Sequence, residues 1–157
     1  MTRSGIGWDS HRLVSGRPLV LGGVVVPDAP RGLEGHSDAD VLTHAMIDAL
    51  LGAAGLGDIG LHFPDTDERW RDADSLDLLR RARALLSEAG FSPVNVDATV
   101  VCEEPRLSPY RDEMRASLAS AVDLPVGAVN VKFTTAERMG FVGRGEGVAA
   151  LAIATVE

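Results

Sequence analysis

Residues 39–54, ADVLTHAMIDALLGAA, place apolar side chains on nearly every side of a helical wheel; Val41, Leu42, Ala45, Met46, Ile47, Ala49, Leu50 and Leu51 leave no broad polar face. A helix of that kind is buried, not laid on a surface. Only Asp40, His44 and Asp48 interrupt it with charge or imidazole, and their i, i+4, i+8 spacing sets them in one stripe. Such groups need partners, because an unpaired buried polar group costs free energy. One account is a helix cap at Asp40 and a satisfied core histidine at His44. Another is a metal ligand at His44, its ring oriented by Asp48 or Asp40.

The segments around this helix read as its cover. Residues 3–14 are extended, with Gly5 and Gly7 allowing another backbone to come close. Residues 18–26 form a second strand with a Gly-Gly bend, and 27–37 a loop rich in Pro and Gly. Ser37 or Asp38 caps the buried helix, and Gly52, Gly55 and Gly57 mark its end. A long loop over 56–74 follows, then a helix from Ser75, its cap, to Ala89, stopped by Gly90. Beyond lie a strand over 94–102, a loop to Pro109, a helix over 110–122 and a strand over 128–135. The final strand, 148–156, is apolar on both faces, which places it centrally in a covered sheet, at a subunit interface, or both. The expectation is one domain, 1–157, of the α/β (α+β) class: a mixed sheet with helices packed on one face.

With apolar residues at 45% and aromatics at 4%, the core must be built mostly of Ala, Val and Leu. The net charge of −8 repels nucleic-acid phosphates and anionic membranes, so neither is an expected partner. A phosphorylated small molecule would need local help from cations, backbone N–H groups or metal ions. Cys102 is the single cysteine, which excludes an intrachain disulfide, and MTRSGIGWDSH has no apolar run; the expected setting is the cytoplasm.

Several groupings carry possible chemistry. Asp9 and His11 share one face of the first strand, side by side; this is a polar pair at a strand end or part of a metal site. With His44 they supply two imidazoles and a carboxylate, a set that suits catalytic zinc with its fourth position open. His36 and Ser37 precede the buried helix, where an anion is welcome; a loop histidine and a capping serine explain them equally. Asp58 to Gly60 and Phe63 to Asp67 read mostly as turn. Thr135 and Glu137 share a face if their strand continues, and a carboxylate with phosphate oxygens is the usual magnesium or manganese environment. The nearby GRGEG, 143–147, is weak as a bare motif.

The order GWDSH, LGG, GHSDADVLTHAMIDALLGAAGLGDIGLHFPDTD, VNVKFTTAERMGFVGRGEG resembles 2-C-methyl-D-erythritol 2,4-cyclodiphosphate synthases over essentially the whole chain. The resemblance implies a homotrimer with active sites between subunits. It implies a substrate linked to cytidine diphosphate, 4-diphosphocytidyl-2-C-methyl-D-erythritol 2-phosphate, cyclised with release of CMP. Zn2+ would be held by Asp9, His11 and His44, and Mg2+ or Mn2+ near Glu137, while His36 and Thr135 stabilise the transition state. His36, Ser37, Asp58, Ile59, Gly60, Phe63, Pro64, Asp65, Thr66 and Asp67 would hold the methylerythritol part, and Asp9 and His11 would also contact the substrate. Cys102, Glu103, Glu104, Pro105, Arg106, Leu107 and Ser108, with Thr134, Thr135, Ala136 and Glu137, would hold the cytidine and its phosphates. Phe141 and Arg144 would complete the pocket, with Arg144 and Glu146 near a trimer axis that could take an isoprenoid diphosphate. The chain departs from the family's usual residues at Arg106, commonly lysine, at Ala136, commonly Thr or Ser, and at Leu13, often aromatic.

Overall fold

In the computed structural model, which describes residues 1–157, strand β1 (Arg3–Val14) carries helix α1 (Val41–Ala54) directly on its backbone. Gly5 and Gly7 make that possible. A Cβ on Gly7 would overlap the Ala45 carbonyl and lie 2.7 Å from the Ala49 nitrogen, closer than side-chain carbons approach. Helix and strand therefore meet along a seam of Gly against Ala45, Ala49 and Ala53, the last three all buried.

Between β1 and α1 run three two-residue strands. β2 (Val20–Leu21) and β3 (Val24–Val25) form a hairpin around Gly22 and Gly23, both at positive φ, in place of the single bent strand expected. β4 (Gly32–Leu33) lies within the expected loop and pairs with the end of β1. The cap of α1 is Asp40, not Ser37 or Asp38: Ala39 stands at φ 58, which turns the chain so that the Asp40 carboxylate accepts from the Thr43 amide. Gly55, at φ 73, closes the helix with N–H bonds to the Gly52 and Leu51 carbonyls.

The stretch expected as loop contains a helical turn, α2 (Ile59–His62), and a short 3-10 turn at Glu68–Trp70. Helix α3 (Ser75–Glu88) is capped by Asp74, not by Ser75, whose side chain is engaged elsewhere. Strand β5 (Pro93–Val101), helix α4 (Arg111–Ala121), strand β6 (Val129–Thr134), the turn α5 (Gly140–Gly143) and strand β7 (Gly147–Val156) complete the chain.

The main sheet has the order β4-β1-β7-β5-β6, parallel between β5 and β6 and antiparallel elsewhere, so the mixed sheet and the central last strand are as expected. Helices cover one face: α1 lies over β1 and β7, α4 over β6, and α3 packs on both helices. Val148, Ala150, Ala152, Ala154 and Val156 of β7 are buried under them. The opposite face is also apolar at its centre, and nothing within the subunit covers it. Ile6 pairs in register with Ile153 and Trp8 with Leu151, and the four are 66%, 48%, 54% and 36% exposed.

Candidate active site

Strand alternation points Gly5, Gly7, Asp9 and His11 toward α1, so the same seam that seats the helix brings His44 over the strand's carboxylate. Asp9 Oδ2 lies 2.9 Å from His11 Nε2 and 3.1 Å from His44 Nδ1, and the two imidazole nitrogens are 3.3 Å apart. Zinc bonds of about 2.0–2.1 Å in tetrahedral array set ligand atoms about 3.3 Å apart. The triangle fits one face of such a site.

The far nitrogen of each ring is held. His11 Nδ1 is 2.7 Å from the Glu34 carbonyl, which only accepts, so Nδ1–H donates; Nε2 then faces Asp9 as a donor in the charged ring and as a lone pair in the neutral one. His44 Nε2 is 2.8 Å from Ser75 Oγ and 3.2 Å from Ser37 Oγ. Neither Asp40 nor Asp48 orients the His44 ring, contrary to the expectation from the stripe. Asp40, fully buried, accepts from the Gly22, Gly23 and Thr43 amides and the Thr43 hydroxyl at 2.7–3.0 Å, which ties the hairpin to the helix start. Asp48 accepts from the Ile59 amide at 2.7 Å and starts the loop that follows. The i+4 spacing is right; the partners are Thr43 in the helix's first turn and backbone amides of the hairpin and of the following loop.

The electrostatics follow from this crowding. Burial raises the Asp9 carboxyl, but the hydrogen bonds and charges of His11 and His44 outweigh it and hold the group at about 2. Burial lowers the His11 imidazole, and the bond and charge of Asp9 overcome it, leaving the ring above its ordinary value.

The triad opens into a cavity of about 430 Å³ whose wall also includes His36, Ser37, Ile59, Gly60, Phe63, Pro64 and Asp65. His36 Nε2 is 3.2 Å from the Asp67 carbonyl. Asp58, Thr66 and Asp67 stand outside this wall. Asp58 caps α2 through the Leu61 amide, and Asp67 caps the 3-10 turn and pairs with Arg69 at 2.6 Å. The sequence reading missed Gly35, Trp70 and Leu78 in the wall. Trp70 packs edge-to-face on Phe63 at 5.1 Å, with the Arg69 and Arg81 guanidinium groups 5.4 and 5.3 Å from its ring. An aromatic within a charged loop segment was the available signal.

A second cavity, about 700 Å³, is walled by Cys102, Glu103, Glu104, Pro105, Arg106, Leu107, Ser108, Thr134 and Thr135. Pro30, Arg31, Arg111 and Phe133 join them unforeseen; Leu13, at a departure from the usual aromatic, does too. It shares no wall residue with the triad's cavity. β6 stops at Thr134, so Thr135 and Glu137 do not share a strand face. Instead Glu137 and Arg138 turn at φ 50 and 62, and the turn sets Thr135 Oγ1 against Glu137 Oε1 at 3.1 Å. Glu103 clamps the turn by accepting from the Ala136 amide at 2.7 Å. Cys102 is buried, and burial pushes its thiol up to about 11; the thiol donates to the Glu104 carbonyl. Phe141 and Arg144 lie in neither cavity wall; Arg144 pairs with Glu146 at 2.7 Å beside a smaller recess.

The whole chain is similar to known proteins. Residues 2–157 match the YgbB family model. The 2-C-methyl-D-erythritol 2,4-cyclodiphosphate synthase of Salinibacter ruber is 62% identical over 155 residues, spanning 99% of this chain and 98% of its own. That of Symbiobacterium thermophilum is 60% identical over 152 residues, 97% and 96% of the two chains. A solved 2C-methyl-D-erythritol-2,4-cyclodiphosphate synthase in a CDP-bound form superposes with a TM-score of 0.90 at 41% identity, covering 99% of this chain and all of the other. The bifunctional IspDF of Campylobacter jejuni gives 0.95 at 42% identity, over 99% of this chain and 42% of that one. On these matches, which run the length of a fold whose one seam assembles the Asp9–His11–His44 triangle, the chain belongs to the YgbB family of 2-C-methyl-D-erythritol 2,4-cyclodiphosphate synthases.

Proposed function

We propose that the chain converts 4-diphosphocytidyl-2-C-methyl-D-erythritol 2-phosphate to 2-C-methyl-D-erythritol 2,4-cyclodiphosphate and CMP, in the methylerythritol phosphate route to isoprenoids. The observation that carries this reading is the Asp9–His11–His44 triangle, with both outward ring nitrogens tied down, at the wall of a cavity in a chain 62% identical to a synthase of that name. An oxygen of the 2-phosphate forms a bond to the β-phosphorus. The bond from that phosphorus to the bridging oxygen breaks, and CMP leaves with its electron pair.

Attack of one phosphate on another brings like charges together, so positioning and charge neutralisation are the main requirements. A phosphate dianion is itself the nucleophile, which removes the need for a general base. Zn2+ held by Asp9, His11 and His44, and Mg2+ or Mn2+ at the Glu137 carboxylate, would supply Lewis-acid neutralisation on a chain whose net charge is −8. His36, in the wall of the triad's cavity, and Thr135, fixed by Glu137, are the groups assigned to developing phosphate charge. The larger cavity, with Arg106 and Arg111 in its wall, is assigned to the cytidine and its phosphates; a relative's CDP-bound form supports that assignment.

The reading includes a homotrimer with sites completed across subunits. The separate walls of the two cavities and the uncovered Ile6, Trp8, Leu151 and Ile153 face support it. An isoprenoid diphosphate at the trimer axis, near Arg144 and Glu146, belongs to the same reading, as does a cytoplasmic setting; no helix is long and apolar enough to cross a membrane. The test is metal analysis joined to a CMP-release assay. His44→Ala should lose zinc and CMP release together, and a full metal complement in that variant would remove His44 from the site.

A further inference from the structure

Ser75 is fully buried at the first position of α3, remote in sequence from every ligand of the triangle, yet its hydroxyl meets the His44 ring. Three groups are linked in a row. Asp38 Oδ2 accepts from the Ser75 amide at 2.9 Å, and Asp38 Oδ1 accepts from the Ser75 hydroxyl. The same hydroxyl oxygen is 2.8 Å from His44 Nε2.

Proton counting fixes the direction of this row. An ionised carboxylate only accepts, so the single hydroxyl proton of Ser75 goes to Asp38. The Ser75 oxygen can then only accept from the imidazole, which places the His44 proton on Nε2. In the neutral ring the shorter contact, 2.8 Å to Ser75 against 3.1 Å to Asp9, keeps the single proton on Nε2 and leaves Nδ1, which faces Asp9 Oδ2 and His11 Nε2, free for a metal; in the charged ring Nδ1–H donates to Asp9. Ser37 Oγ, which takes the Ala39 amide at 3.2 Å, is a longer second acceptor for the same Nε2–H.

We infer that Ser75 and Asp38 are positioning residues: a carboxylate–hydroxyl relay that selects the His44 tautomer and sets its ring for metal binding. The inference rests on the metal reading of the triangle. It adds that Asp38, just before α1, and Ser75, at the start of α3, tune that site through His44. Outer partners of a ligating histidine typically change metal affinity by about 10–100-fold when removed.

Two variants separate the relay from mere packing. Ser75→Ala removes the acceptor. Asp38→Asn inverts the row: its amide donates to Ser75, whose proton then turns toward His44 and favours the Nδ1–H tautomer. Long-range proton–nitrogen NMR correlations on histidine-labelled, metal-free full-length protein read the tautomer directly, at mildly alkaline pH. Zinc affinity is read by competition with a chromophoric chelator, with circular dichroism checking the fold.

The expected results are an Nε2-protonated His44 in the parent protein, and a shift toward Nδ1–H in Asp38→Asn. Zinc binding should be about 10–100-fold weaker in both folded variants. A parent His44 protonated on Nδ1 would overturn the inference even if neither variant folds, as would parental zinc affinity in a folded Ser75→Ala. The tautomer is measured without metal or substrate, so it stands or falls separately from cyclase activity.

Discussion

Gly7→Ala tests the coupling between core packing and the triangle, since one methyl group would be placed in the seam that positions the ligands. An added Cβ would lie 2.7 Å from the Ala49 nitrogen, about 0.7 Å short of ordinary contact at 3.4 Å, and would overlap the Ala45 carbonyl outright. Both obstacles are backbone atoms of α1, which cannot rotate away. The helix must rise from β1 by at least that shortfall, and His44 rises with it. Its 3.1 Å separation from Asp9 would then grow well beyond the tolerance of about 0.2 Å for metal–ligand distances. Overpacking of this kind costs roughly 1–3 kcal/mol. For a chain of this size that lowers the melting temperature by several degrees, at about 2–4 °C per kcal/mol. Thermal unfolding and chelator competition on the same sample give both quantities, with a zinc affinity loss of at least 100-fold expected. A Gly7→Ala protein that melts with the parent and binds zinc as tightly would refute the claim that this seam sets the site.

Asp40→Asn keeps the shape but replaces one accepting oxygen with a donor, so one of the Gly22, Gly23 or Thr43 amides loses its acceptor; urea unfolding should show about 2 kcal/mol of destabilisation, and a change under about 0.5 kcal/mol would contradict the assigned role. Cys102, with its thiol pushed up to about 11 from 9.0, should alkylate about 100-fold more slowly at neutral pH in the folded protein than in the unfolded chain; equal rates would show that the thiol is not shielded. The sign for stability follows: between about pH 9 and 11 the unfolded thiol ionises first, so this residue makes the fold less stable as pH rises through that window. Trp8→Glu, on the uncovered apolar face, should reduce the mass seen by light scattering from trimer to monomer, and a monomeric parent would remove the shared-site assembly.

Much of this molecule was legible because its strongest signals are local. The all-round apolar pattern of 39–54 announced a buried helix, the glycines of β1 announced a close backbone approach, and the doubly apolar last strand announced a centre. Those signals did not by themselves show that Asp9, His11 and His44 meet; the order of motifs implied it, and the strand parity and helix seam of the fold are what bring them together. The errors came where several residues of one chemistry compete. Ser37, Asp38 and Asp40 are all good caps, and only the left-handed turn at Ala39 decides for Asp40. Thr135 and Glu137 meet through positive φ at two non-glycine residues, which spacing does not foretell. The Ser75–Asp38 row was invisible because Ser75 reads as a helix cap, and its meeting with His44 depends on how α3 docks against α1. The second face of the sheet was legible as apolar, and nothing within the subunit covers Ile6, Trp8, Leu151 and Ile153.

The central claim is chemical: that the paired cavities and the Asp9–His11–His44 triangle serve an intramolecular phosphate attack and not attack by water. Phosphorus NMR of the purified protein with zinc, magnesium and 4-diphosphocytidyl-2-C-methyl-D-erythritol 2-phosphate distinguishes the two directly. The account predicts CMP together with two mutually coupled phosphorus signals of a cyclic diphosphate, formed in equal amounts. CMP accompanied only by linear phosphates would contradict it and make the protein a hydrolase.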